Sequence, residues 1–269
     1  VSGIGTCTDT DIIIPSVSPA GDSVTSINAS AFYNIQSFTS VVIPDSVTLI
    51  GTQAFSRCLN LANIEVKDNN EYYKTVDGNL YSKDGKTLIQ YALGKETTSF
   101  VIPDGVTSID ANAVRYCTLT DITISDSVTT IGEFAFSNCT SISTVIIGNS
   151  VISIGNAAFY GCDITMVYYK GATSEWSNIT IGSNNDTLPT ATRYYYSETA
   201  PTNAGDFWYY ENGVITLWPG LLEFISNGDG TCSVSGIGTC TDTDIVIPSK
   251  SPAGDSVTSI NASAFYNNQ

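Results

Sequence analysis

Ile43-Pro44-Asp45-Ser46-Val47-Thr48-Leu49-Ile50-Gly51, running on through Ala54-Phe55 to Cys58 and Leu61, carries the pattern that decides the fold. Its anchors recur at Val106, Ile109, Ala113-Val114 and Cys117; at Val128, Ile131, Ala135-Phe136 and Cys139; and at Val151, Ile154, Ala158-Phe159 and Cys162. An earlier copy, with Val24, Ile27 and Ala31-Phe32, leads to Asn34-Ile35 where the others lead to Cys. Phe32 lies 23 residues before Phe55, Val114 lies 22 before Phe136, and Phe136 lies 23 before Phe159. A fixed period this short is the mark of a solenoid, in which one small unit stacks on the next. Phe55 and Val114 are 59 residues apart, so one unit is longer than its neighbours rather than missing.

Each repeat also holds a strand signal of the form L-x-x-I-x-V, at 38–43, 61–66, 119–124 and 142–147. Alternation over so short a stretch, rich in β-branched residues, predicts one strand per repeat and a parallel sheet along the solenoid. The downstream Val, Ile and Ala-Phe positions then fill the interior behind that sheet. The 3–4 spacing within 132–139 suggests a helical turn on the opposite face. In L-x-x-I-x-V the anchors point inward, so the third and fifth positions point out. The fifth-position column runs Ile13, Val42, Glu65, Val101, Thr123, Ile146 and Tyr168; the third-position column includes Ser40, Asn63, Ser99, Asp121, Thr144 and Met166. An outward row with this much Val, Ile and Tyr reflects either plain strand propensity or an apolar strip that docks a protein partner.

The combination I-P-x-S-V-x-x-I-G-x-x-A-F-x-x-C, present at 43–58 and, with Ser125 or Gly148 in place of Pro, at 124–139 and 147–162, resembles the BspA-type leucine-rich repeats. These occur in surface proteins of gut and oral bacteria and of some parasitic protists. The resemblance covers 12–170 and resumes at 245. It implies a mostly β chain with short helical turns, an α/β leucine-rich-repeat solenoid over 1–170 with a parallel sheet on one face. It also implies a secreted or surface-displayed module that adheres to host matrix or to other cells. Two units depart from the pattern, through the extra Val17-Ser18-Pro19-Ala20-Gly21-Asp22 and through Val114 where Phe is usual.

Composition narrows the function. Hydrophobic residues make up 42% of the 269, enough for a sizeable core and too many for wholesale disorder. Ten basic residues against 26 acidic give a net charge of −16 with no basic cluster, which argues against nucleic acid and anionic membrane as partners. There is no histidine, so the Ser-His-Asp and Cys-His nucleophilic arrangements are out, together with the commonest transition-metal ligand. No carboxylate pair is singled out by a surrounding motif, which leaves a carbohydrate-processing enzyme a distant third reading. No cofactor motif is present. No apolar run approaches the ~18 residues of a membrane span, and no signal peptide opens the chain.

The cysteines read as packing. Cys58, Cys117, Cys139 and Cys162 share one phase of the repeat and line up as small buried hydrophobes, spread linearly rather than around one metal ion. Cys232 and Cys240 stand apart, and Ser235-Gly236-Ile237 between them leaves a disulfide open. Asp9-Thr10-Asp11, its repeat Asp242-Thr243-Asp244, and Asn227-Gly228-Asp229-Gly230 read as turns rather than calcium loops, lacking further regularly spaced oxygens. Sequons at Asn28, Asn138, Asn178, Asn185 and Asn261 are as many as this composition produces by chance.

Three interruptions complete the chain. The long unit at 67–99 reads as a hairpin around Asp84-Gly85, protruding from the solenoid, with Lys67, Lys74, Lys83, Lys86 and Lys95 on or beside it. It is a solvated excursion or a dedicated partner-binding arm. From 171 to 226 lies an aromatic-rich cap or spacer with a hairpin at Asn212-Gly213. It packs structurally on Tyr194-Tyr195-Tyr196, or offers a sugar-stacking platform through Trp208, Tyr209 and Trp218. Finally, residues 1–36 recur as 234–269 with three differences, at an offset of 233, so 227–269 reads as the start of a second, near-identical module and the chain as part of a tandem array.

The whole reads as a non-enzymatic module without metal or cofactor. One role is adhesin-like recognition of a host matrix or cell-surface protein, with Val42, Glu65, Val101, Thr123, Ile146 and Tyr168 as the partner-binding column. The other is structural, with neighbouring copies of the 233-residue module building a surface coat or filament.

Overall fold

A computed structural model describes residues 1–3, 5, 7–199, 201, 206–218, 222–236, 247, 249–251, 254–262, 264 and 265. The chain forms two compact units, Val1–Val167 with Ser174–Thr192, and Tyr168–Thr173 with Arg193–Gln269.

In the first unit the L-x-x-I-x-V stretches become a front sheet. Asp11–Ile13, Ser40–Ile43 and Asn63–Val66 pair in parallel, as do Ser99–Val101, Asp121–Ile124 and Thr144–Ile147. Val41 and Ile43, Ile64 and Val66, Ile122 and Ile124, and Val145 and Ile147 are buried, as strand alternation requires. After a bend the chain enters a back sheet of very short strands. Ser26–Ile27 pairs with Leu49–Ile50. Ser108–Ile109, Thr130–Ile131, Ser153–Ile154 and Thr180–Ile181 follow one another in parallel. Composition groups residues 171–192 with the aromatic spacer, yet Thr180–Ile181 completes the back sheet and Ser174–Thr192 belongs to the first unit.

The third face corrects the expected helical turn. No helix forms over 132–139; the segment alternates two kinds of hydrogen bond. Ala135, Ser137 and Cys139 donate their N–H groups three residues back, to Gly132, Phe134 and Phe136. Phe134, Phe136 and Asn138 donate instead to Asn156, Ala158 and Tyr160 of the following coil. This alternation needs left-handed residues four apart, and each coil has them: Ser30 and Asn34, Gln53 and Arg57, Asn112 and Tyr116, Phe134 and Asn138, Ala157 and Gly161. The conformation costs an L-residue about 1 to 2 kcal/mol. Inter-coil bonds offset that cost by satisfying donors that would otherwise be buried unpaired.

Between the three faces lies the core. Phe32 stacks on Phe55 at 5.3 Å and Phe136 on Phe159 at 5.1 Å, close to the spacing of neighbouring strands. The repeat cysteines form the expected buried column. Three of the four thiols donate to a carbonyl of the coil before: Cys58 to Phe32, Cys139 to Val114 and Cys162 to Phe136. Burial pushes the Cys58 thiol up to about 11 and Cys162 up to about 12, and raises Cys139 as well. At the start of the turn face, coils approach so closely that only glycine fits. A Cβ on Gly132 would sit 2.6 Å from Ala111 N, and one on Gly155 would sit 2.7 Å from Glu133 N.

The long unit is not the protruding hairpin that its sequence suggests. Tyr73–Val76, Asn79–Ser82 and Thr87–Gln90 form an antiparallel meander with turns at Asp77-Gly78 and Asp84-Gly85, and Thr87–Gln90 then pairs in parallel with Ser108–Ile109. Leu80, Tyr81 and Leu88 are buried, so apolar burial draws the meander into the solenoid wall. Thr75 and Gly78 occupy the edge of Asn63–Val66: Thr75 Oγ1 donates to Ile64 O at 2.9 Å and accepts from Val66 N at 2.7 Å, while Gly78 O accepts from Ile64 N. The Tyr73 hydroxyl accepts from Ile50 N at 3.0 Å, ending the first back sheet. Buried Asn70 fixes this arrangement with four bonds, donating to Pro44 O and Val47 O and accepting from Tyr72 N and Tyr73 N.

Phe136→Ala should destabilise the protein by about 3 to 5 kcal/mol, the usual range for such a truncation, measured by chemical denaturation. A loss under 1 kcal/mol would contradict the stacked column. The Cys58 and Cys162 thiols give a pH dependence of definite sign. Their folded pKa values lie above the ordinary value of 9.0, so the stabilisation is complete below pH 9 and is lost as pH rises toward 11 to 12. Thermal melts from pH 8 to 11 should show that fall, and iodoacetamide at pH 8 should modify exposed Cys7 while sparing Cys58, Cys117, Cys139 and Cys162.

Candidate functional site

Strand register brings the predicted outward residues together in two groups. Ile13, Val42 and Glu65 lie side by side, and so do Val101, Thr123 and Ile146. Ile13 is 73% exposed and Val101 61%, while Val42, Glu65, Thr123 and Ile146 are half-buried. Beside them runs a polar column, Asp11, Ser40 and Asn63, then Ser99, Asp121 and Thr144. Ser40 Oγ donates to Asp11 Oδ1 at 2.6 Å, and Thr120 Oγ1 to Asp121 Oδ2 at 2.6 Å. The row is not one continuous strip, because Thr75 and Gly78 take the edge that Ser99–Val101 would have occupied.

Tyr168, the last member of the predicted column, does not face solvent. It is 8% exposed, with the Tyr194 ring stacked on it at 5.3 Å and the Trp208 edge against it at 5.6 Å. A strand position predicts an outward direction; it does not predict what later chain folds over it.

A cleft of about 430 Å³ opens beside Glu65, walled by the meander. Lys67, Lys74 and Lys83 line it together with Glu65 and Asp68. Lys67 pairs with Glu65 at 2.9 Å, which raises the Lys67 pKa, and Lys83 Nζ donates to Asp68 O at 3.1 Å. In a chain of net charge −16 this is a local concentration of ammonium donors, suited to an acidic side chain of a partner. The lysines are legible in the sequence; the cleft is not, since it exists only because the meander docks.

In the second unit the Asn212-Gly213 turn forms as the sequence indicates, with both residues left-handed. Trp208 pairs with Leu217 and Tyr210 with Ile215. Trp208 is fully buried, its indole N–H donates to Tyr169 O at 3.1 Å, and Tyr196 and Tyr210 pack edge-on to it at 5.2 and 5.0 Å. It therefore cannot stack on a sugar, and the hairpin packs on its own tyrosines. On the opposite face Tyr209 and Trp218 stack at 4.2 Å, both half-buried, with Trp218 Nε1 donating to Ser197 O.

Asp229 caps its own turn, accepting from Thr231 N at 2.9 Å. The proposed pairing of Cys232 with Cys240 lies outside the described residues, as does Asp242-Thr243-Asp244. Among the described residues no group of three or more His, Cys, Asp or Glu could hold a metal ion, and no helix is long and apolar enough to cross a membrane.

A family model described as the BspA type leucine rich repeat region matches residues 7–83 and 87–188, in six copies. Among solved structures, a leucine-rich repeat protein from Eubacterium ventriosum is 28% identical with a TM-score of 0.57, over 70% of this chain and 48% of that one. The present chain thus spans about half the length of that protein. A leucine rich cell surface protein from Faecalibacterium prausnitzii is 25% identical with a TM-score of 0.45, over 66% of this chain and 64% of that one. No curated protein matches the chain.

The two tryptophans of the hairpin should behave differently on truncation. Trp208→Ala removes a fully buried ring and should cost about 3 to 5 kcal/mol, whereas Trp218→Ala should cost well under half of that. Equal losses in denaturant unfolding would contradict the assignment of the core face.

Proposed function

Since the chain belongs to the BspA-type leucine-rich-repeat family, a scaffold that generally mediates protein–protein interaction, we propose that it is a non-enzymatic recognition module acting outside the cell. Its partner is a protein, either of the host matrix or of another cell surface, read by the outward face of the front strands. The observation that carries this reading is the pairing of two columns on that face. Exposed Ile13 and Val101, with Val42 and Ile146, give apolar contact, and the adjacent Asp, Ser, Asn and Thr side chains give hydrogen bonds that orient the partner. Strands hold both columns at fixed spacing, so little ordering entropy is lost on binding. A carbohydrate would have the Tyr209–Trp218 pair to stack on, without Trp208.

A second reading, modules stacked as a surface coat or filament, is favoured by the near-identity of 1–36 and 234–269.

Val101→Lys combined with Ile146→Lys places two charges in the apolar column while leaving the inward anchors untouched. The double variant should lose at least tenfold in affinity for purified matrix proteins and for epithelial cells in surface-binding assays, with its Tm within about two degrees of wild type. Undiminished binding would remove the front face from consideration.

A further inference from the structure

Among the described residues the loop of the duplicated segment makes the same bonds in both copies, and its second copy carries a neighbour. In the first copy Val17 bridges Ser23; Ser18 N donates to Asp22 O, Val24 N to Ser16 O and Asn28 N to Val1 O. In the second, at an offset of 233 throughout, Lys250 bridges Ser256; Ser251 N donates to Asp255 O, Val257 N to Ser249 O and Asn261 N to Val234 O. Val234 and Val1 therefore hold the same place relative to their loops.

Around Val234 the structure goes further. Glu223–Ser226 and Thr231–Gly236 form an antiparallel hairpin, and Thr231–Gly236 pairs in parallel with Ser256–Ile260. Thr231 stands opposite Ser256, Cys232 opposite Val257, Ser233 opposite Ser259 and Val234 opposite Ile260. Leu222 and Val234 are buried and make a small core with Phe224, Ile247 and Val257. Ile247 and Val257 are the counterparts of Ile14 and Val24, which in the first copy pack on the solenoid core. The counterpart of Ser259-Ile260 is Ser26–Ile27, which pairs with Leu49–Ile50 on one side and meets Val1 on the other through Val1 N to Ser26 O at 2.7 Å.

We infer that the edge at 23–26, continuous with the place that Val1 holds beside Ser26–Ile27, is a strand-addition site for the 222–233 hairpin of another copy of this module. Each module would then begin with a back sheet opened by its predecessor's hairpin, its backbone groups paired and its first apolar side chains covered by residues matching Leu222, Phe224 and Cys232. Strand addition to a sheet edge gives affinity through the main chain and specificity through side chains, and Cys232 and Val234 on the adding strand are both buried. The inference names the contact that the tandem reading would use, and it does not depend on what the front face binds.

The test is the full chain extended ahead of Val1 by a copy of residues 222–233. Amide exchange at 23–26 should slow by tenfold or more relative to the unextended chain, led by Ser23, whose counterpart Ser256 donates to Gly230 O. An extension carrying Phe224→Asp and Cys232→Asp in the added copy should give no protection. Equal exchange in the extended and unextended chains, or equal protection by both extensions, would overturn the junction. Fibres seen by electron microscopy of the native protein alongside unchanged exchange would reject this contact and leave the tandem reading standing.

Discussion

Every coil of the first unit depends on the next to pair its backbone. A coil of some 22 residues has too little surface to bury its own amides or its own apolar face, and unpaired buried N–H and C=O groups cost too much to tolerate. Front strands, back strands and the alternating bonds of the turn face all meet this need between neighbours. Where the stack is broken, single side chains take over. Thr75 and Tyr73 close two sheet edges, Asn70 anchors the meander, and Gln53 reaches Asn112 across the missing turn segment at 3.2 Å. At the far end Asn185 accepts from Phe159 N at 2.9 Å and donates to Gly155 O and Gly182 O, standing in for the backbone of a following coil.

The period and its phase were legible because burial repeats with them: Leu61, Leu119 and Ile142, then Val47, Val128 and Val151, are all buried where the pattern put them. The conformation of the turn face was not legible. Residues spaced 3–4 apart face one way both in a helix and in a chain of tight turns, and only the left-handed residues tell them apart. One signal was present and unread. The glycine of Ile-Gly at 51, 132, 155 and 182 becomes Asp110 in the coil after the meander, where a small cavity lined by Gln53, Ile89 and Asp110 replaces the backbone contact that excludes a Cβ. That substitution marks in sequence the place where the stack is interrupted.

For the candidate site, direction was legible and coverage was not. Strand alternation correctly turned Ile13, Val42, Val101, Thr123 and Ile146 outward, since it depends only on local geometry. Tyr168 obeys the same alternation and is nevertheless covered, by rings from 26 and 40 residues further along. Trp208 shows the matching difficulty in a hairpin: both faces of the aromatic strand are apolar enough to be core, and periodicity cannot choose between them. The choice follows from enclosure, because Tyr168, Tyr196 and Tyr210 surround Trp208 and bury it, while Trp218 on the other face stays half-buried.

The turn face has a polarity that the sheets largely lack. Its inter-coil backbone bonds run one way, from Ser30 to Thr52, Phe32 to Ala54, Asn112 to Glu133, Phe134 to Asn156 and Ala157 to Ser183. Peptide dipoles of about 3.5 D each, aligned in this sense, add along the stack as they do along a helix. The face is therefore electropositive toward the later coils and electronegative toward the first. At its positive end the last N–H, that of Phe159, meets the Asn185 carboxamide oxygen, a neutral group with its negative pole turned inward. Coils added at either end would lengthen that field without changing its sense, so a stack of any length keeps a distinguishable head and tail.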